Sequence, residues 1–312
     1  MIAEFIGPRD ARWKSFLKRT KHDFYHLPEY VELAAANEGG TPVAFYAEKG
    51  EAACLAPLLI RQIPEVLKAP SDWYDCISPY GYSTPLVSSP QVPLESFLEA
   101  FCLAARQHGL ITALFRLHPL LVLNHEILGK FGALANHGQT VYVNLAKPVG
   151  ENWMRSVHKR NIRKLLSLNF SVSVDEWRLF KDFVEIYLLT MKRVGASQRY
   201  LFPEEYFENL RVALGERLHL CSVLSPRGDV AAAGLFVETD GIVEYHLGGT
   251  AGEYHALSPS KLMVDFMRRW AQEQSSSLLH LGGGRGRRRF AVPFQNRILA
   301  SARAVLHLSH RC

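Results

Sequence analysis

One short phrase occurs twice in this 312-residue chain, and it restricts the possible architectures more than any other feature. Tyr245-His246-Leu247-Gly248-Gly249 is followed 34 positions later by Leu279-His280-Leu281-Gly282-Gly283, with a turn-rich loop and one amphipathic helix between them. Two apolar strands that end in glycine, joined by a helix long enough to cross a sheet, form a βαβ unit with parallel strands. Glycines at both carboxyl ends let a backbone or a ligand come close. Ligands of α/β sheets bind at that edge.

The residues before this unit define what it belongs to. Trp177, Phe180, Val184, Tyr187, Met191 and Val194 recur at spacings of three and four, which predicts one apolar helix face ending at Gly195. A second helix is expected from about Pro203, burying Phe207, Leu210 and Leu214. Three strands follow over 217–224, 229–238 and 242–249, with Asp240-Gly241 as a hairpin turn. A helix over 259–272 and a strand over 278–281 complete the unit. The first half is less legible. A hairpin is expected over 42–47 and 52–60 around Lys49-Gly50-Glu51, then a helix over 94–107 and strands near 111–117 and 140–145. Lys147-Pro148-Val149-Gly150 is the expected boundary, giving domains 1–147 and 148–312. Loop 78–85, rich in aromatic and turn residues, suits either a site wall or a packed surface loop.

The helix of the βαβ unit opens with Ser258-Pro259-Ser260-Lys261. Serine as N-cap with proline in the first turn is a well-formed start, and the N–H groups with the helix dipole suit an anion. Ser258, Ser260 and Lys261, with the strand end Gly248-Gly249-Thr250, are the candidate cofactor seat; a capped helix with nothing bound is the plain alternative. The chain has no GxGxxG and no GxxxxGKS/T run, which disfavours dinucleotide and P-loop readings. Alternation along the strand places Glu244, His246 and Gly248 on one face and Val243, Tyr245 and Leu247 on the other. Glu244 and His246, with His280 at the matching place in the second strand, are candidates to relay a proton from an attacking amine. A satisfied core histidine is the plain alternative. No serine or cysteine elbow is present, so a covalent acyl-enzyme is not indicated. Arg155, His158, Lys159, Arg160, Arg163 and Lys164 crowd one short stretch. Lys159/Arg163 and Arg160/Lys164 stand four apart and repel unless an anion lies between them. A phosphate-bearing substrate, the acceptor stem of an RNA and a solvated basic face all remain open.

The net charge of +6 invites a nucleic-acid partner, but seven arginines (285, 287, 288, 289, 297, 303, 311) lie in the last 28 residues, which hold no acid. Residues 1–284 carry 29 basic against 30 acidic groups, so the body is not basic. Cysteines at 54, 76, 102, 221 and 312 show no CxxC spacing, which suggests neither a metal cluster nor a redox pair. No apolar run approaches the roughly 20 residues needed to span a bilayer. Met1-Ile2-Ala3-Glu4-Phe5 lacks the basic start and apolar stretch of a signal peptide. A cytoplasmic protein with reduced thiols, no metal, no DNA partner and no transmembrane segment is expected.

Trp153…Arg155…His158-Lys159-Arg160-Asn161-Ile162-Arg163-Lys164, the helix ending Met191-Lys192-Arg193, the Tyr245-to-Gly249 strand, Ala256-Leu257-Ser258-Pro259 and Leu281-Gly282-Gly283-Gly284 follow in an order that resembles the FemAB-like branch of the GNAT N-acyltransferases. Ser78-Pro79-Tyr80-Gly81, Arg116-Leu117-His118-Pro119 and His137-Gly138-Gln139-Thr140-Val141 fit the same pattern. The resemblance runs from near residue 20 to Gly284. It implies an α/β fold of tandem GNAT-like domains, with mixed sheets flanked by helices. It also implies an acyltransferase that uses no covalent intermediate. The implied function is transfer of an acyl group from acyl-CoA, as co-substrate, to an amine of a small or cell-envelope or polysaccharide precursor. Aminoacyl transfer from aminoacyl-tRNA to a peptidoglycan precursor is the alternative. A non-catalytic RNA- or membrane-binding role through the basic tail is a second. On this resemblance Lys159, Arg160, Arg163, Lys164, Tyr80 and Tyr245 hold the substrate or its phosphate. Backbone N–H groups near Gly248–Thr250 would face the developing oxyanion.

The resemblance stops at Gly284. Family members continue with one or two acids and a phrase like SLFRFKxGF, whereas Arg287 to Ser301 contains no acid. Back-translated with chosen synonymous codons and read one base later, that stretch spells EDDSLFRFKTGFSP. The sequence is compatible with the hypothesis of a frameshift from about residue 286. Resequencing that finds no single-base insertion or deletion there would exclude it.

Overall fold

The structure, a computed structural model, describes residues 1–89, 93–146, 154–283 and 298–307, the last group as backbone alone. It divides into two compact units, Met1–Gly138 with Ala300–Cys312, and Gln139–Leu299. The expected boundary at Lys147 to Gly150 lies outside the described residues, as do Trp153 and most of the arginine-rich tail.

The first unit runs β1 (Ile2–Ile6), α1 (Ala11–Leu17), α2 (Pro28–Glu38), β2 (Thr41–Lys49), β3 (Ala52–Gln62), β4 (Tyr74–Ile77), β5 (Leu86–Val87), α3 (Leu94–Gln107), β6 (Leu110–Arg116), α4 (His125–Phe131) and the start of β7 (Gly132–Asn144). Its sheet has the order β1-β2-β3-β4-β6, with β5 beside β3, and only β4 and β6 run parallel. The expected hairpin is β2 and β3, turned at Gly50, whose φ of +62° suits glycine. β3 is buried over most of its length because both of its faces are covered, which is why it is an almost unbroken apolar run. On one face α3 packs Phe97, Phe101 and Ala105 against Phe45, Leu58 and Phe115. β1, α1, α2 and α4 had no clear periodic signal, and β7 begins well before the expected strand at 140.

The second unit adds α5 (Ser156–Ser167), β8 (Ser171–Val174), α6 (Phe180–Arg193), α7 (Glu204–Leu214), β9 (Leu218–Leu224), β10 (Val230–Thr239), β11 (Ile242–Thr250), α8 (Ser260–Glu273) and β12 (Leu278–Gly283). Its sheet order is β7-β12-β11-β10-β9-β8. β9, β10 and β11 form the expected antiparallel meander, and β12 lies parallel to β11. One core gathers Ile162 and Leu165 of α5 and Leu262, Met263 and Met267 of α8 over Phe236, Val243 and Leu279. α6 packs on β10 and β11, and its Phe183 and Tyr187 meet Phe207 of α7 edge-on. After the undescribed segment, β13 (Ile298–His307) pairs antiparallel with β6 of the first unit. No helix among the described residues is long and apolar enough to cross a membrane.

Candidate active site

The doubled phrase forms the centre of the second unit. β11 and β12 pair through Ile242↔Leu278, Val243↔Leu279 and Glu244↔His280, and there the ladder ends. β11 continues along β10 to Thr250, whereas β12 continues along β7 to Gly283↔Thr140. Two parallel strands therefore part company midway, and the last rung before the gap is Glu244 with His280.

That rung is a buried pair. His280 Nδ1 lies 2.6 Å from Glu244 Oε1 and 2.8 Å from Oε2, with both side chains 1% exposed or less. A carboxylate can only accept, so Nδ1 carries the hydrogen and Nε2 is the basic nitrogen. Register alone brings these two residues together across 36 positions.

His246 occupies a different role from the one alternation predicts. Leu235 pairs with Leu247 and Phe236 with Tyr245, which leaves His246 as the extra residue of a β-bulge. The bulge resets the faces. A Cβ on Gly248 would strike the Tyr245 hydroxyl at 2.0 Å, so Tyr245 and Gly248 share a face that strict alternation would have separated. Tyr245 stacks on Phe236 at 4.9 Å, and burial pushes its hydroxyl pKa up. A Cβ on Gly249 would meet the Ile186 carbonyl oxygen at 2.7 Å, so that glycine admits α6. The close approaches expected at the paired glycines are thus made by the protein's own ring and helix.

Beyond the glycines, the Thr250 N–H donates to Thr190 Oγ1 at 3.1 Å, and Arg193 donates to the Thr250 carbonyl at 3.1 Å. Of the amides expected to face an oxyanion, that of Thr250 is committed to α6. The turn Gly252–Leu257 is braced by Tyr254, whose hydroxyl donates to Asp229 Oδ2 and accepts from Arg227, each at 3.0 Å. Neither contact had a signal in the sequence, because each joins residues at least 25 positions apart.

The start of α8 also differs from expectation. Ser258 sits in the left-handed region at φ 54° and ψ 54°, Pro259 occupies the cap position, and no side chain caps the helix. A left-handed serine cannot aim its hydroxyl at the next turn, so the expected N-cap is not formed. The first turn holds no acid and carries Lys261. α5 packs nearby and is likewise uncapped and without acid in its first turn, where His158 lies. Burial, then the charges of Lys261 and Arg155, lower the His158 pKa, and burial lowers that of Lys261. His158 Nδ1 is buried without a hydrogen-bond partner among the described residues. Two bare helix starts, the Lys261 ammonium and the unpartnered His158 Nδ1 fit an anion. Ser260 begins α8, and Lys159 is half-buried on α5, while Arg160, Arg163 and Lys164 face solvent.

Tyr80 belongs to the first unit, where its N–H donates to Glu38 Oε1 at 2.7 Å and its carbonyl accepts from Tyr30 at 3.0 Å. Its loop is packed: Ser78, Ser83 and Thr84 are fully buried, and the Tyr25 ring fills the space a Gly81 side chain would need. Below it lies a buried network that the sequence did not single out. His118 donates from Nε2 to Asp23 at 2.9 Å while its Nδ1 accepts from the Leu120 and Leu121 amides. His26 bridges the Asp23 backbone and the Thr84 carbonyl.

Comparison with known proteins agrees with this geometry. Residues 153–290 match the family model described as an acetyltransferase (GNAT) domain. FemX superposes with a TM-score of 0.72 at 14% identity, covering 98% of this chain and 98% of that one. L-PGS from Bacillus licheniformis follows at 0.64 and 13%, covering 99% and 95%. A tandem GNAT protein from the clavulanic acid biosynthesis pathway gives 0.51 and 12%, covering 100% of both. No curated protein matches the chain in sequence. Residues 153–290 therefore carry a GNAT-type acetyltransferase domain, in a chain whose fold is similar to that of FemX.

Proposed function

We propose that this protein moves an acyl group from acyl-CoA to the amine of a small acceptor or of a cell-envelope or polysaccharide precursor. The parting of β11 from β12 after Glu244↔His280 carries the proposal, because it opens a slot in the sheet beside a helix start suited to an anion. The donor supplies an activated carbonyl. Lys261, His158 and the bare N–H groups of α8 would hold its phosphates, and the backbone of Gly248 and Gly249 would line its acyl end. His280 Nε2, with Nδ1 held by Glu244, would take the proton released as the amine nitrogen bonds to the carbonyl carbon and the carbon–sulfur bond breaks. That proton then serves the departing thiolate. His246, in the bulge, is the second candidate for this transfer.

The near-neutral balance of residues 1–284 favours CoA over tRNA, since a large RNA meets an extended basic surface. Aminoacyl transfer from tRNA to a peptidoglycan precursor is the second reading, favoured by the basic face of α5. The test is melting and transfer assays with a series of acyl-CoAs and a panel of amines. A donor-dependent rise in melting temperature supports the first reading. Silence with every acyl-CoA, together with salt-dependent tRNA binding, replaces it with the second.

A further inference from the structure

α5 carries two sets of polar groups that serve different sides. His158 lies toward α8, whereas Arg160, Arg163 and Lys164 stand on the solvent side, opposite buried Ile162 and Leu165. The helix contains no acid, and these three outward cations form no ion pair among the described residues. Three large apolar side chains border the same strip: Val157 is 43% exposed, Leu166 51% and Leu168 43%. At roughly 100° per residue, Val157, Lys164 and Leu168 share one margin, and Leu166 lies on the other beside Arg163. The core does not need them, because Ile162 and Leu165 already fill the inward face.

We propose that this outward face of α5 docks the protein onto an anionic phospholipid surface. The three cations would meet the headgroups, and the apolar margins would dip into the interface. A nucleic-acid backbone would satisfy the cations but leave Val157, Leu166 and Leu168 with nothing to gain. A lipid surface uses both sets. The inference stands apart from the acyl-CoA reading, since neither the Glu244–His280 pair nor the α8 start enters it, and it competes with the tRNA reading for the same face of α5.

The test uses the full chain and large vesicles of phosphatidylcholine, alone or with a third of the lipid replaced by phosphatidylglycerol. Binding is expected only with the anionic lipid, weakening as salt rises. The triple variant R160E/R163E/K164E is expected to lose at least about tenfold in affinity. V157S/L166S/L168S is expected to weaken vesicle binding several-fold while leaving its binding of a single-stranded RNA oligonucleotide unchanged. These apolar groups are already exposed, so the second variant keeps the fold, as circular dichroism would show. No preference for phosphatidylglycerol overturns the proposal. So does vesicle binding that survives both variants, which would place it in the arginines beyond Gly284. Apolar substitution without effect on vesicles would leave only charge attraction, and that outcome also rejects lipid docking in favour of an RNA-like partner.

Discussion

Glu244 and His280 show how much a single register decides. Each alone would be a costly buried polar group, and together the Nδ1 hydrogen and the carboxylate satisfy one another. Replacing His280 by Gln keeps the shape but removes the basic nitrogen, and kcat is expected to fall by about 10² to 10⁴. Glu244→Gln should also lower kcat, since an amide no longer fixes the hydrogen on Nδ1 and the lone pair on Nε2. A kcat unchanged in both variants would move the proton transfer to His246 or water. Gly249→Ala tests packing. The new methyl would press on the Ile186 carbonyl of α6, so a loss of about 1–3 kcal/mol is expected in urea unfolding.

At the scale of elements, the sequence showed most where burial is one-sided. α3 was legible to the residue because its apolar stripe faces a sheet. α8 was legible for the same reason, and the meander because turns at 226–228 and Asp240-Gly241 punctuate its apolar runs. β8, β1 and the short helices were not, since their signals are only a few residues long. The site was legible in its residues and not in its geometry. His246 and Gly248 were identified, but the bulge that separates their roles leaves no mark in one sequence. The left-handed Ser258 is equally silent. The brace on turn Gly252–Leu257 belongs here too. Tyr254→Phe keeps the ring on Phe170 and removes its hydrogen bonds to Asp229 and Arg227. It is expected to raise KM for the acyl donor about threefold with little change in kcat. Equal loss in kcat and kcat/KM would assign the brace to chemistry instead.

For the molecule as a whole, acid is the vulnerable side, and the first unit is where it acts. Burial and the nearby His118 push the His26 pKa from 6.5 down to about 3. Burial works against the Asp23 carboxylate, but the hydrogen bond from His118 prevails and holds its pKa below the ordinary 3.8. Both values are depressed in the folded state, so the unfolded chain takes up each proton first as pH falls. His26 then costs stability progressively from pH 6.5 toward 3, and Asp23 adds its share below 3.8. Urea midpoints for the first unit should therefore decline through that window. A midpoint that stays level from neutrality to pH 4 would mean that His26 is not held neutral.

Because β12 leaves β11 after the Glu244↔His280 rung, the sheet has no ladder between the ends of these two strands. On the proposed function, catalysis and cohesion would be drawn from the same place. A donor seated there would complete the sheet as well as present a carbonyl, and it would bind only the folded chain. Its free energy of binding would be added to that of folding, by about 2.7 kcal/mol at a hundredfold excess over Kd. A transferase built this way would be most fragile when idle, and its lifetime in a cell would follow the supply of its donor.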